Sequence, residues 1–172
     1  MRKNKKRNHQ KHPVPNHKYK DRLFRLVFNN KRDLLDLYNA LNNTCYENPN
    51  DLEVNTLEDA VYLSMKNDIS FLIGGTLNLY EHQSTYNPNM PLRGLIYLAR
   101  LYDGYVETEN INLYSSTLKK LPIPQYFVFY NGTKEQPDET ILRLTDAFES
   151  VSDNRQPCLQ CTAVMLNINY GH

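Results

Sequence analysis

The sequence predicts an α/β fold, and two observations carry that prediction. Apolar residues recur at helical spacing over residues 21–43 and again over residues 91–105. Between these segments, residues 68–83 form two runs rich in β-branched and aromatic side chains, separated by Gly74-Gly75. Alternating helix and strand patterns of this kind are typical of a sheet covered by helices.

The first helical segment is predicted to begin near Asp21. Its apolar positions continue to about Asn43, with a weak break at residues 29–30 that permits one long helix or two. Asp21 falls on the first turn, where an acidic side chain interacts favourably with the helix dipole. Residues 52–65 then read as short extended pieces, most clearly at residues 61–63.

The two runs on either side of the glycine pair are predicted to form a tight hairpin, because such a dipeptide favours a two-residue primed turn. With the glycines as the loop, the register places Asp68 directly opposite Glu81. Side chains alternate between the faces of a strand, so both carboxylates share one face with Gln83, while His82 points to the other. A loop of three or four residues would change this register.

Two carboxylates at directly opposed positions repel each other, and three arrangements relieve or avoid the repulsion. A divalent cation such as Mg²⁺ takes one or two carboxylates and completes its shell with water and phosphate. A shared proton would leave one carboxyl group neutral. Alternatively, both side chains lie at a frayed hairpin end and are simply solvated. The residues alone leave all three open.

The second helix is predicted over residues 91–105, with Pro91 at its first position, where proline is well tolerated. Arg93, Tyr97 and Arg100 lie on one face of this helix. A guanidinium there could bind a phosphate through two hydrogen bonds, although a solvated face is the simpler interpretation and the one preferred for Arg100. The packing face comprises Leu92, Leu95, Ile96, Leu98, Ala99 and Tyr102.

Three further elements complete the predicted order. The pattern indicates a strand over residues 125–130 that ends in the turn Asn131-Gly132. A helix is then expected over residues 139–148 and a strand over residues 159–168. The chain therefore alternates between helices and strands to its end.

The near-neutral charge conceals a strong asymmetry. Residues 1–20 carry eight Lys or Arg and no acid, so the remainder has twelve Lys or Arg against nineteen Asp or Glu, a formal charge of −7. Residues 1–18 lack apolar periodicity and are expected to form a disordered basic tail ahead of one domain at 19–172. Such a tail would neutralise phosphates of a nucleic acid, or act only as a solubilising arm.

Cysteine usage and hydropathy indicate a cytoplasmic protein. The three cysteines are an odd number, which argues against a disulfide framework. Cys158 and Cys161 have zinc-knuckle spacing, but no second pair lies at a suitable distance, and a buried strand explains them better. No apolar run reaches the length of a signal-peptide core or a membrane span, so no membrane association is expected.

Several short motifs occur together in this chain. Lys-Asn-Asp-Ile-Ser-Phe lies at 66–71, Glu-His-Gln at 81–83, Asp-Arg-Leu-Phe-Arg-Leu-Val-Phe at 21–28, and Arg93 and Tyr97 follow. Together they resemble the Rpn-like recombination-promoting nuclease and transposase family of the PD-(D/E)XK nuclease superfamily. The resemblance spans most of the chain, from about residue 19 to 170. It implies a PD-(D/E)XK nuclease-like core with a central mixed sheet flanked by helices.

The resemblance also implies a chemistry. Asp68 and Glu81 would bind Mg²⁺, for which Mn²⁺ can substitute, in an endonuclease that hydrolyses DNA during recombination or in mobile elements. The general pattern has Lys where this chain has Gln83, which can hydrogen-bond a water or a phosphate oxygen but carries no charge. Lys66 lies opposite Gln83 in the predicted register and could supply the missing ammonium.

Further expectations follow from the same resemblance. Arg93 and Tyr97 would contact phosphate, and Asp21 would be an additional acid near the metal, as an alternative to its role on the first helical turn. DNA is the expected partner, and a homodimer would suit double-strand cleavage. Relatives often continue into a helical region, so a C-terminal helical extension is expected to be missing. A catalytically degenerate module that binds nucleic acid or protein is the alternative function.

Overall fold

The computed structural model of the chain describes residues 23–24, 26–54, 68–149 and 156–171. Within these residues the protein is an α/β structure, with a six-stranded mixed sheet flanked by helices. The expectations for Asp21, for Lys66, for the extended piece at 61–63 and for the basic tail lie outside the described residues.

Two helices pack on opposite faces of the sheet. Helix α1 (Lys31–Asn42) begins after Asn30, whose side chain accepts a 2.9 Å hydrogen bond from the backbone N–H of Arg32. Residues 26–28 are helical too, so the weak break in the sequence pattern separates two helical segments. Helix α2 (Met90–Thr108) has proline in its first turn, as predicted.

The sheet has the strand order β1-β2-β3-β4-β6-β5. Strands β3, β4 and β6 are parallel to one another, while β1, β2 and β5 each run antiparallel to a neighbour. Helix α2 connects β3 to β4 and is the crossover that a parallel pair requires. The strands are β1 (Glu53–Val54), β2 (Ile69–Ile73), β3 (Thr76–Gln83), β4 (Ile123–Tyr130), β5 (Glu139–Arg143) and β6 (Thr162–Asn167).

The β2–β3 hairpin has the register that the sequence predicts. Ile73 pairs with Thr76 and Ile69 with Tyr80. Gly74 and Gly75 have φ angles of 55° and 78°, the positive values that a primed two-residue turn needs. Because strand side chains alternate, this register sends the odd-numbered residues of β3 and the even-numbered residues of β2 to the same face.

Each face of the sheet has its own hydrophobic core. Toward α2, Leu77 and Leu79 of β3 pack with Tyr97 and Leu101. Toward α1, Phe71 and Tyr80 pack with Leu34 and Leu35. Residues 68 and 81 belong to the α2 face, so the candidate carboxylates lie beneath that helix.

One predicted element is wrong. Residues 139–148 form strand β5 followed by a 3₁₀-helix, Leu144–Ala147, rather than an α-helix. Strand β5 pairs with β6 through contacts such as Ile141 with Val164, and it buries Leu142. This pairing and burial outweigh a weak local preference for helix, which is common where a segment finds a strand partner.

The packing face of α2 also differs from the prediction. Leu92 and Ala99, which were expected to be buried, are exposed, whereas Gly94 and Tyr97 are buried against the sheet. A Cβ atom at Gly94 would overlap the ring of Tyr126, so the helix approaches β4 closely at this glycine. This close contact sets the orientation of α2 about its axis, and Tyr97 faces the sheet as a result.

The expectation of a buried strand through both Cys158 and Cys161 is wrong in part, because β6 begins only at Thr162 and Cys158 is exposed, whereas Cys161 is buried. All three cysteines are free thiols, and burial raises the pKa of the Cys161 thiol. None of the helices in the described part of the chain is long and apolar enough to cross a membrane.

Candidate functional site

Asp68 and Glu81 form the centre of a polar site at one end of the β2–β3 hairpin. Asp68 immediately precedes β2, and Glu81 lies near the end of β3. Only 9% of Asp68 and 1% of Glu81 are exposed. The interpretation that both carboxylates are simply solvated at a frayed end is therefore wrong.

Hydrogen bonds between the strands hold both carboxylates in place. The backbone N–H of Asp68 donates to Oε1 of Glu81 at 2.9 Å. The backbone N–H of His82 donates to Oδ2 of Asp68 at 2.8 Å. Beyond the last backbone pair of the ladder, each carboxylate thus accepts a charge-assisted hydrogen bond from the opposite strand. The hairpin itself positions the two acids.

Arg93 of α2 contributes a positive charge to the site. Its Nη2 atom lies 3.0 Å from Oε2 of Glu81. The same atom lies 3.3 Å from the hydroxyl oxygen of Tyr97, and the guanidinium carbon is 5.8 Å from the centroid of the Tyr97 ring. A cationic side chain therefore offsets the repulsion between the acids, an arrangement that was not among the three considered from sequence.

The electrostatics of the site keep Arg93 charged. Burial opposes its charge, but the hydrogen bond with Tyr97 and the nearby charge of Glu81 outweigh burial and raise the pKa of Arg93. Burial and then the charge of Glu81 also raise the pKa of Tyr126 well above its usual value. At neutral pH the site thus combines the guanidinium of Arg93 and the neutral phenol of Tyr126 with the two carboxyl groups.

The neighbours of Glu81 on β3 divide between the two faces. Gln83 ends the strand on the α2 face and is half-buried, and its backbone carbonyl accepts a 3.1 Å hydrogen bond from Asn131. His82 is buried on the other face, with its ring centroid 5.5 Å from that of Phe24. The prediction that the His82 side chain points away from the two acids is confirmed, although its backbone N–H donates to Asp68.

The two acids fit a magnesium ion in number and type. Among the residues that the structure describes, no group of three or more His, Cys, Asp or Glu side chains is arranged to hold a metal. Mg²⁺ nevertheless needs only one or two carboxylates when water and phosphate supply its other ligands. A carboxylate has about four lone-pair positions, so one backbone hydrogen bond does not prevent an oxygen from coordinating a cation.

The environment of Arg100 was not predicted from the sequence. It was expected to be solvated, but it lines a cavity of about 170 Å³ beside α2. Its Nη1 atom is buried and has no hydrogen-bond partner among the described residues. The available signal was its position seven residues after Arg93, which places it on the same side of the helix two turns later.

Comparison with known proteins identified no relative of this chain. No family model, no curated protein and no solved structure matches the chain. The argument for function therefore depends on the geometry of Asp68 and Glu81 and on the chemistry of the side chains around them.

Proposed function

We propose that this protein is a Mg²⁺-dependent DNA endonuclease with a PD-(D/E)XK core, similar to the Rpn-like family. The observation that carries the proposal is the pair of buried acids, Asp68 and Glu81, held on adjacent strands by hydrogen bonds of 2.9 and 2.8 Å. Buried acidic groups are costly unless they are paired or bind a ligand. An Asp at the start of one strand and a Glu on the next is also what the resemblance implies.

The roles of the side chains follow from their positions. Asp68 and Glu81 would hold Mg²⁺, which lowers the pKa of a bound water and stabilises charge on the phosphate. Gln83 lies on the same face as both acids, where its amide would hydrogen-bond the attacking water. The reaction needs no covalent intermediate with the protein, because water is the nucleophile.

Arg93 would bind the phosphate, whereas Tyr97 is buried and would only position the guanidinium. The guanidinium has five N–H donors in a planar fork, so it can contact Glu81 and a phosphate oxygen at the same time. Its 3.0 Å contact with Glu81 places this positive charge next to the acids that would bind the metal. Tyr97 orients the guanidinium through its hydroxyl oxygen.

A second candidate function is a DNA-binding module that has lost cleavage. Two observations favour it, namely Gln83 in place of a lysine and the ion pair that already neutralises Glu81. In that case Asp68 and Glu81 accept hydrogen bonds from backbone N–H groups, and Glu81 also pairs with Arg93. The basic tail would then supply most of the affinity for DNA, in a salt-dependent manner.

Cleavage of supercoiled plasmid distinguishes the two candidates. Wild type is compared with Asp68→Asn and Glu81→Gln in Mg²⁺, in Mn²⁺ and in EDTA. Asp103→Asn, at an exposed position of α2, is the matched control. We expect metal-dependent nicking by wild type and by the control, and none by the two site variants.

The other outcomes are equally informative. Salt-sensitive binding of the plasmid without nicking would support the degenerate module. Nicking that survives both site substitutions would show that Asp68 and Glu81 are not the metal ligands. Neither binding nor nicking would exclude both candidates and leave a protein partner as the better explanation.

A further inference from the structure

Glu81 is almost inaccessible to solvent, although the proposed function requires it to bind a cation. Its side chain is 2% exposed, whereas that of Arg93 is 30% exposed. Two tyrosines next to this ion pair, Tyr97 and Tyr126, are only 1% and 4% exposed. Of these three neighbours, Arg93 is the one that extends to solvent. A movement of the Arg93 side chain is therefore the change that would uncover Glu81.

Both carboxylate oxygens of Glu81 already accept a hydrogen bond. Oε1 accepts from the backbone N–H of Asp68 at 2.9 Å, and Oε2 accepts from Nη2 of Arg93 at 3.0 Å. The hairpin fixes the backbone N–H, because Asp68 directly precedes the paired residues of β2. Arg93 reaches Glu81 through a long side chain instead, so it is the partner that can leave.

The other contacts of the Arg93 guanidinium are weak. Nη2 lies 3.3 Å from the hydroxyl oxygen of Tyr97, which is long for a hydrogen bond. Nη1 lies 3.5 Å from Sδ of Met90, and a thioether sulfur is a weak acceptor. A phosphate oxygen is a stronger acceptor for a guanidinium. A phosphodiester can therefore begin to bind the guanidinium while Nη2 still contacts Glu81, and then draw it away.

We propose that Arg93 couples the binding of a metal ion at Glu81 to the binding of phosphate. In the free protein the guanidinium occupies Oε2 of Glu81 and repels cations. When a phosphodiester draws the guanidinium away, Oε2 becomes available and the repulsion at Glu81 falls. This inference rests on the proposed function, in which Asp68 and Glu81 hold Mg²⁺ and Arg93 binds the phosphate. The free protein then binds the cation weakly, and the complex with DNA binds it tightly.

Two thermodynamic rules give the size and the direction of the effect. A ligand that binds one conformation has its affinity lowered by the fraction of molecules in that conformation. If the guanidinium leaves Glu81 in about one tenth of the molecules, the apparent affinity for the cation falls about tenfold. The coupling is also reciprocal, so DNA raises the affinity for the cation by the same factor by which the cation raises the affinity for DNA.

The first test is a calorimetric titration of the full chain with Mg²⁺ in the absence of DNA. Arg93→Met removes the ion pair with Glu81. Arg93→Gln removes the charge but keeps an amide that can donate to Glu81, and it replaces the methionine variant if that variant does not fold. Arg100→Met removes one positive charge from the same helix about 10 Å further along, and it controls for charge alone.

We expect the affinity for Mg²⁺ to rise about tenfold or more in both Arg93 variants, because Glu81 no longer has a competing cation. In Arg100→Met the rise should be less than about threefold, since salt at physiological concentration screens a charge at that distance. Circular dichroism verifies that each variant is folded at the temperature of the titration.

The second test repeats the titration with and without a short DNA duplex at a concentration that saturates each variant. Ca²⁺ is used here, because it is a larger cation that also takes oxygen ligands. Titration of the duplex alone is subtracted, and gel electrophoresis verifies that the duplex stays intact. The duplex should raise the affinity of wild type for Ca²⁺ about tenfold or more, and the factor should be at least about threefold smaller in the Arg93 variants.

Three results would overturn the proposal and leave the proposed function standing. The first is a Mg²⁺ affinity in the folded Arg93 variants that is no higher than in wild type. The second is a rise no larger than that in Arg100→Met, and the third is an equal effect of the duplex on wild type and on the Arg93 variants. If wild type binds neither cation, with or without the duplex, both the coupling and the proposed function are wrong.

Discussion

Glu81 and Arg93 form an ion pair of 3.0 Å in which 2% of the Glu81 side chain and 30% of the Arg93 side chain are exposed. The pair joins β3 to α2, and the same Glu81 carboxylate accepts a hydrogen bond from the backbone N–H of Asp68. It therefore has two consequences, one for the stability of the fold and one for the affinity of the site for a cation.

Removing the arginine should destabilise the protein. Arg93→Met leaves the buried carboxylate of Glu81 without its cation, and such a loss costs about 3 kcal/mol. The same substitution at Arg32, whose partner Asp36 and own side chain are 61% and 59% exposed, should change stability by less than about 0.5 kcal/mol. Urea unfolding of both variants measures the difference. Equal effects would mean that the buried pair contributes nothing.

Magnesium should stabilise the folded state through the acid pair. At a free concentration of 100 times the dissociation constant, a ligand raises the unfolding free energy by about 2.7 kcal/mol. We expect the midpoint of thermal unfolding to rise with Mg²⁺ in wild type and in Asp103→Asn, but not in Asp68→Asn. A rise of the same size in Asp68→Asn would place the metal elsewhere.

Lysine at position 83 should increase cleavage. If the proposed nuclease function holds, Gln83→Lys places an ammonium on the face that carries both acids, and an ammonium can stabilise charge or donate a proton where an amide cannot. The expected gain in the initial rate of plasmid nicking is about tenfold or more. The exposed substitution Gln160→Lys controls for added positive charge. No gain over that control would argue against a role for residue 83 in the reaction.

The buried phenol of Tyr80 should make the fold sensitive to alkali. Burial, together with Tyr38, raises the pKa of Tyr80, so its ionisation favours the unfolded chain once the pH passes the ordinary tyrosine value of about 10. Stability is fully present below that pH and falls above it. The Tyr80 hydroxyl also lacks a hydrogen-bond partner within the described residues.

Tyr80→Phe should therefore be neutral or stabilising by about 1 kcal/mol at pH 7, and the gain should grow above pH 10. Tyr114→Phe, at a fully exposed position, should change neither value. Urea unfolding at pH 7 and pH 11 tests both statements. A loss of stability in Tyr80→Phe at pH 7 would show that the hydroxyl is satisfied in solution.

The two glycines of α2 should respond to alanine with opposite signs. Gly104→Ala should stabilise the protein by about 1 kcal/mol, since the helix gains a better residue and the new Cβ atom has open space. Gly94→Ala should destabilise it by about 1 to 3 kcal/mol, because the Cβ atom would overlap the Tyr126 ring. Thermal unfolding of the two variants measures this contrast, and effects of the same sign would contradict the helix placement.

Local patterns were sufficient for the hairpin and insufficient for residues 139–148. The glycine pair fixes the position of the turn, and strand side chains alternate between the two faces. The pairing of β2 with β3 therefore follows from the local sequence alone. Strand β5, by contrast, exists because β6 lies beside it, about twenty residues later in the chain. A window of sequence around residues 139–148 does not contain that partner, so its helical pattern was misleading.

The sequence by itself determined that Asp68 and Glu81 share one face of a hairpin and that His82 lies on the other. Only the tertiary structure decided that Arg93 pairs with Glu81 and that Arg100 lines a cavity. Both depend on how α2 is rotated above the sheet, and the close contact of Gly94 with Tyr126 sets that rotation. Helical periodicity states which residues share a face, but it does not state which face will find the better packing partner.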